Sequence, residues 1–394
     1  MDAQDPLASF RDRFVMDDIL YLDGNSLGRL PKATVERMRQ AVEAEWGGRL
    51  IRSWGEGWLE LPRRVGAKIA RLIGAESDEV VACDSTSVNF FKLAHAALAN
   101  TDRRVVVTNA SNFPSDLYLL QGLGAEIRRI DSEDDDAILA ALDEDVALLT
   151  LSHIEFRSGL RHDLGRLNEA AHAVGARVLW DLSHSVGAVQ IELGDADLAV
   201  GCAYKYLNGG PGAPAFLYVR RDLQTRLTSP IQGWFGQRRA FDFGLDYTPA
   251  EGIGRFLAGT PPILALAAVE PGVDLLLEAG MERIDAKAAA QTEFLIELAD
   301  ARLTPLGFEV ATPREPERRG SHVGLRHREA WRITQALVAE KDVIPDFRTP
   351  DVLRLGIAPL YTRFVDLVEA VERIAAVVES GSFKKYAGEI VGVT

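Results

Sequence analysis

Lys205 follows an apolar run and precedes backbone-permissive residues, in Gly201-Cys202-Ala203-Tyr204-Lys205-Tyr206-Leu207-Asn208-Gly209-Gly210-Pro211-Gly212. Glycine and proline extend neither a strand nor a helix cheaply, so this lysine belongs at the mouth of a buried strand. It is either a solvated strand end or an amine held against a ligand. Asp181 favours the second reading, because it closes another apolar run, Arg177-Val178-Leu179-Trp180. His184, three positions on, is a hydrogen-bonded structural residue or an imidazole stacked on a bound ring.

A strand ending in an anion and a strand leading into an amine suit pyridoxal phosphate. Its aldehyde condenses with a lysine, and its ring nitrogen stays protonated beside a carboxylate. Further residues are placed to hold such a group. Asp84-Ser85-Thr86-Ser87 joins a short strand to an apolar helix, so Thr86 and Ser87 either cradle an anion at the helix N-terminus or simply cap it. Asn112-Phe113-Pro114-Ser115-Asp116 follows the strand Val105 to Thr108, at the edge where open parallel sheets carry ligands. Phe113 there stacks on a flat ring or covers the core, and Asp116 orients polar groups or caps a helix. Trp234 is a loop packing residue or an indole N–H donor to phosphate, and Thr260 a cap or an anion ligand. Arg354 lies within Val352-Leu353-Arg354-Leu355-Gly356-Ile357-Ala358, and a core arginine needs either an ion pair or a ligand carboxylate.

The elements that must position these residues alternate. Strands are expected at Val80 to Cys83, Val105 to Thr108, Ala147 to Ser152, Arg177 to Trp180, Asp197 to Val200 and Ala215 to Val219. Helices are expected at Ala33 to Trp46, Leu61 to Ile73, Val88 to Ala97, Leu164 to Val174 and Ile263 to Leu277. This is the pattern of an α/β protein with a mostly parallel sheet covered by helices on both faces. A helix from Met281 to Leu303 and a strand at Phe308 to Ala311 then begin a smaller C-terminal α+β unit. The expected division is an N-terminal arm and helix over 1–50, a large domain over 51–270 and a small domain over 271–394.

With 394 residues and 47% hydrophobic content the chain can bury a sizeable core. A formal charge of −14 argues against nucleic acid or an anionic membrane as the main partner, since both reward clustered cations. No run approaches the length of a membrane span, and Met1 to Arg13 lacks an apolar leader, so a cytoplasmic location is expected. The two cysteines, Cys83 and Cys202, form no disulfide framework and lack metal-ligand spacing with the seven histidines; no metal is expected.

The order of these motifs resembles the kynureninase family, within the class-V, fold-type-I group of pyridoxal-phosphate enzymes. The likeness runs from Gly24-Asn25-Ser26-Leu27-Gly28, through Asp181-Leu182-Ser183-His184, Tyr204-Lys205-Tyr206-Leu207-Asn208 and Gly233-Trp234-Phe235-Gly236, to Arg354-Leu355-Gly356-Ile357-Ala358-Pro359-Leu360-Tyr361. It implies a seven-stranded sheet and pyridoxal 5'-phosphate as cofactor. Lys205 would carry the cofactor and act as base, Asp181 would face the ring nitrogen, and Tyr204 would donate a late proton. Thr86, Ser87, Phe113, Asp116, His184, Tyr204, Trp234 and Thr260 would line the cofactor; Ser26, Trp54 and Arg354 would meet the substrate. The implied reaction is hydrolytic cleavage of L-kynurenine to anthranilate and L-alanine, in a homodimer with shared active sites. Trp54 and Gly259-Thr260 match bacterial-type enzymes, which implies a preference for L-kynurenine over its 3-hydroxy form. The alternatives are another class-V enzyme, such as a cysteine desulfurase or aminotransferase, and a catalytically silent scaffold.

Overall fold

The computed structural model describes residues 1–389, so the last five positions of the expected small domain lie outside the described residues. After a short arm strand β1 (Leu20–Tyr21) come β2 (Val80–Ala82), β3 (Val105–Asn109), β4 (Glu126–Ile130), β5 (Val146–Ser152), β6 (Arg177–Asp181), β7 (Leu198–Gly201) and β8 (Phe216–Val219). Strands β2 to β8 form one seven-stranded sheet in the order β2-β8-β7-β6-β5-β3-β4, in which only β8 runs against the others. Runs such as Val105-Val106-Val107 and Val146 to Ser152 are buried on both faces, as a strand covered by helices on each side must be. The parallel arrangement brings the C-terminal ends of β2, β3, β5, β6 and β7 to one edge.

In this sheet one strand eluded the sequence reading. Strand β4, Glu126-Ile127-Arg128-Arg129-Ile130, is the exposed edge, and its charged side chains guard an unpaired rim against further strand addition. The helix expected from Ala33 to Trp46 is also corrected. It is α-helical only over Lys32–Arg39, widens into a π-helical stretch over Gln40–Arg49 and tightens again over Leu50–Trp54. The adjoining Gly47 and Gly48 leave that stretch with little helical preference.

Three hydrophobic clusters fill the interior, one of them packing the sheet against the helix Thr86–Leu98. The largest packs sheet residues against the helices Leu61–Ile73 and Ile263–Ala279. Another fills a four-stranded antiparallel sheet, ordered β12-β13-β10-β9, built from β9 (Glu309–Val310), β10 (His322–Arg326), β12 (Asp346–Arg348) and β13 (Val352–Gly356). Strand β11 (Val343–Ile344) pairs in parallel with β1, so the arm docks on this second unit, and Leu20 and Leu22 enter its core.

A buried polar cluster ties the end of β3 to the segments beyond β4 and β5. His162 Nδ1 lies 2.6 Å from Asp135 Oδ1 and its Nε2 3.2 Å from Glu155 Oε1, which also accepts from Asn109 Nδ2 at 2.6 Å. Burial opposes the imidazolium, but the hydrogen bonds to Asp135 and Glu155 outweigh it and raise the His162 pKa to about 9. The folded state therefore holds this proton more tightly than the unfolded chain, whose histidine titrates near 6.5. Its contribution to stability is full below about pH 6.5 and is lost as pH rises through about 9. Urea melts across that window should show this decline, and His162→Gln should remove its share of the slope.

Candidate active site

Asp181 ends β6, in register with Ser152 of β5 and Val200 of β7, so it stands at the centre of the ligand-bearing edge. Its Oδ1 accepts from the Ser183 backbone N–H at 2.8 Å. Four residues past β7, Lys205 is buried, and its Nζ is 3.0 Å from Nε2 of His184. The amine lies 5.9 Å from the Phe113 ring centre and 5.8 Å from that of Tyr204. Burial, then repulsion from Lys205, holds the His184 pKa well below its ordinary value, and this neutral imidazole can accept from the amine. Burial likewise lowers the Lys205 pKa, against the opposing pull of Cys202 and Asp181.

Asp116 joins this group. It is buried, its Oδ2 has no hydrogen-bond partner, and burial followed by repulsion from Asp181 drives its pKa well above the usual carboxylate range. Burial raises Asp181 as well. Two carboxylates that disfavour each other's charge, with one oxygen unpaired, form a receptor for a cationic N–H.

The N-terminus of the helix Thr86–Leu98 lies at the same sheet edge, after β2. Ser85 caps it by accepting from the Val88 backbone N–H at 3.3 Å, and Thr86 and Ser87 occupy its half-buried first turn. Capping by Ser85 leaves the Thr86 and Ser87 hydroxyls for an anion, aided by the helix dipole. An acid pair, a buried amine, a half-exposed aromatic ring and a hydroxyl-bearing helix start thus match the ring nitrogen, aldehyde, ring face and phosphate of pyridoxal 5'-phosphate. The residues present fit the group.

Gly28 pins the arm to this site. Its N–H donates to the Tyr204 carbonyl at 2.9 Å, and a methyl at Gly28 would overlap the Lys205 carbonyl and Asn208.

Arg354 on β13 is buried and ion-paired. Its Nη2 meets Asp346 and, at 3.3 Å, Ser26 Oγ, while Nη1 donates to the Phe156 carbonyl. Asp346, which the sequence reading did not single out, also pairs with Arg348 at 2.9 Å. Burial works against its charge, but Arg354 and Arg348 outweigh that and keep its carboxyl below the usual range. Beside it, burial and then the Asp346 charge push Asp23 up to about 8.

Trp54, Trp234 and Thr260 form no such polar cluster. Trp54 packs edge-on against Trp58 at 5.6 Å and meets Phe235 at 6.0 Å; Phe235 in turn meets Trp234 at 4.7 Å. Trp234 and Thr260 are exposed on this chain.

Two supporting residues went unnoticed in the sequence. Asn112 Oδ1 accepts from Phe113 N (2.8 Å) and from Ser152 N and Oγ (3.2 and 2.8 Å), which fixes the Phe113 loop to β5. Lys92, fully buried, reaches Asp84 Oδ2 at 2.6 Å and the Phe256 carbonyl at 2.8 Å, bracing the turn before Thr86. A lysine amid Val88-Asn89-Phe90-Phe91-Lys92-Leu93-Ala94 was the available signal. Lys92→Met should lower unfolding free energy by about 3 kcal/mol in urea melts, because it strands Asp84 and a carbonyl without their partner.

The desulfurase alternative requires an accessible thiolate. Cys83 and Cys202 are both buried; burial pushes the Cys83 thiol up to about 12 and raises Cys202 too.

Comparisons with known proteins bear on the fold and the family. Solved structures share the fold: an apo cysteine desulfurase from Thermococcus onnurineus aligns with a TM-score of 0.79 at 20% identity, covering 94% of this chain and 98% of that one. The complex of the cystine C-S lyase C-DES with its product cysteine persulfide aligns with a TM-score of 0.78 at 17% identity, covering 91% and 97%. Residues 284–374 match the family model described as kynureninase C-terminal domain. Kynureninase of Pseudomonas fluorescens is 42% identical over 394 residues, 96% of this chain and 94% of that protein. Kynureninase of Burkholderia mallei is 43% identical over 398, covering 98% and 95%. With the acid pair, the buried lysine and the arginine held in one fold, and likeness of this extent along nearly the whole chain, the protein belongs to the kynureninase family.

Proposed function

We propose that this protein cleaves L-kynurenine hydrolytically to anthranilate and L-alanine with Lys205 as the residue that moves the substrate α-proton. The observation that carries this assignment is the buried Lys205 amine, 3.0 Å from the neutral His184 and on the same sheet edge as Asp181. Bound between these residues, pyridoxal 5'-phosphate supplies an electron sink for charge developing at the substrate α-carbon. Asp181 and Asp116 would hold the ring nitrogen, Phe113 would cover the ring, and Thr86 and Ser87 would take the phosphate.

Burial keeps the Lys205 amine readily deprotonated, as a base near neutrality must be. His184, held neutral, orients the amine across the short contact. Burial raises the Tyr204 pKa, so that phenol stays protonated and can donate in the later steps. Arg354 takes the substrate α-carboxylate. A water oxygen adds to the γ-carbonyl carbon as the Cβ–Cγ bond breaks, and the electron pair left on Cβ is protonated to give alanine. The Trp54 group forms the aryl end, favouring the unsubstituted ring of L-kynurenine. Anthranilate fluorescence on adding L-kynurenine to the holoenzyme tests the whole assignment; a silent holoenzyme overturns it.

The exposed Trp234 and Thr260, with the exposed apolar side chains of Val35, Trp46, Ile51, Phe243 and Leu245, support a two-fold homodimer in which Thr260 serves the partner's cofactor. Sedimentation at a single-chain mass with cofactor bound would refute that assembly. No helix among the described residues is long and apolar enough to cross a membrane. The two unpaired, buried cysteines support a reducing, cytoplasmic compartment.

A further inference from the structure

Two buried side chains beside Arg354 are not used in this scheme. His322, at the start of β10, is fully buried, and neither ring nitrogen has a hydrogen-bond partner. Asn25 is also fully buried, with both amide atoms unpaired. Buried polar groups are nearly always paired, and exceptions gathered at one place point to a ligand.

The register explains why they gather. Strands β10 and β13 are antiparallel, with His322 opposite Gly356 and Gly324 opposite Arg354. Side chains alternate along a strand, so Arg354 shares a sheet face with His322 as its diagonal neighbour, within reach of a long side chain. Gly356 contributes no side chain between them. Asn25 occupies that space, since a methyl at Gly356 would overlap its amide oxygen. On its other side the His322 ring centre is 5.8 Å from that of His184, the imidazole that touches Lys205. His322 therefore spans the interval between the guanidinium and the amine.

Arg354 itself needs help to hold an anion. Nη1 is engaged by the Phe156 carbonyl and Nη2 by Asp346 and Ser26, while Nε is buried without a partner. Three of the five guanidinium N–H groups are thus taken; the free Nε–H lies beside the fully engaged Nη2, so an incoming carboxylate gains one bond from that edge and keeps an oxygen for a second donor. Burial, then Arg354, lowers the His322 pKa to about 3, so the ring is neutral and offers one N–H.

We propose that His322 is a further substrate-binding residue whose imidazole N–H donates to the α-carboxylate taken by Arg354, with the Asn25 amide completing that subsite. The inference rests on the reading of Arg354 as the carboxylate residue, and the test separates the two.

The holoenzyme and its variants are compared on L-kynurenine, by KM and kcat, and on its decarboxylated amine, by titrating the cofactor absorption band. His322→Leu should raise KM for L-kynurenine roughly ten- to a hundredfold, with kcat and the dissociation constant of the amine within about threefold of the parent. His322→Gln, which keeps an N–H, should recover part of the loss, and Asn25→Ala should show a smaller KM increase of the same kind. If the leucine variant does not fold, His322→Asn, whose shorter donor stops short of the carboxylate, carries the same comparison. A KM that does not move, a fall in kcat in its place, or equal weakening of both ligands overturns the proposal. Arg354→Lys is measured alongside. If it selectively weakens L-kynurenine while the His322 variants do not, only the His322 assignment fails; if it too spares that selectivity, the reading of Arg354 fails with it.

Discussion

Lys205→Ala should reduce kcat for L-kynurenine by at least roughly 10³-fold, measured as anthranilate fluorescence under saturating substrate. The side chain is asked to do two things, hold the cofactor and carry the α-proton, and alanine does neither. Burial prevents a simple substitute: Lys205 is 8% exposed, so a water or an added amine reaches its place only through the packed surroundings of His184, Tyr204 and Phe113. The cofactor of the variant should also elute on gel filtration, because only non-covalent contacts remain. Turnover within tenfold of the parent, a loss of under about 1.4 kcal/mol in the barrier, would remove Lys205 from the chemistry.

Asp181→Asn should cost roughly 10²-fold or more in kcat, and Asp116→Asn distinctly less. The two carboxylates share one buried site but not one burden. Burial and the neighbouring Asp181 charge push Asp116 well above the carboxylate range, whereas Asp181 keeps a backbone N–H and the attraction of Lys205 to offset its burial. In the proposed scheme Asp181 would therefore bear the negative charge opposite the ring nitrogen, a charge the amide lacks. Removing Asp116 deletes a group already held toward its neutral form. The reverse order of effects in steady-state kinetics would transfer the charge assignment to Asp116.

Those two aspartates show what a sequence can disclose about such a site. Asp181 and Lys205 could be singled out because the one closes an apolar strand and the other soon follows one. Asp346 was not, since Asp346-Phe347-Arg348 carries no local pattern that marks a site. Its importance arises only when the β12–β13 register sets it opposite Arg354, a consequence of pairing that no local pattern carries. The same holds for His322 and Asn25, whose neighbours come from strands and loops far apart in the chain. In the fold, the doubly covered strands announced themselves as unbroken apolar runs, while β4 did not, because an edge strand carries charge for protection and so resembles a loop. Likewise helical spacing over Gln40 to Trp46 could not distinguish an α-helix from the wider π-turn that forms there.

The docking of the arm has a consequence for assembly of the protein during synthesis. Leu20 pairs with Val343 and Asp23 bridges to Gly356, although the first residues leave the ribosome long before the last of these partners exists. Contacts so distant along the chain close late, because loop entropy must be overcome before they reward the chain. The large sheet can collapse around its own core while the loop from Asn25 to Gly28 is still unattached. The Lys205 side of the pocket can therefore form before the arm is drawn across it, and docking of the arm on the second unit closes the structure last.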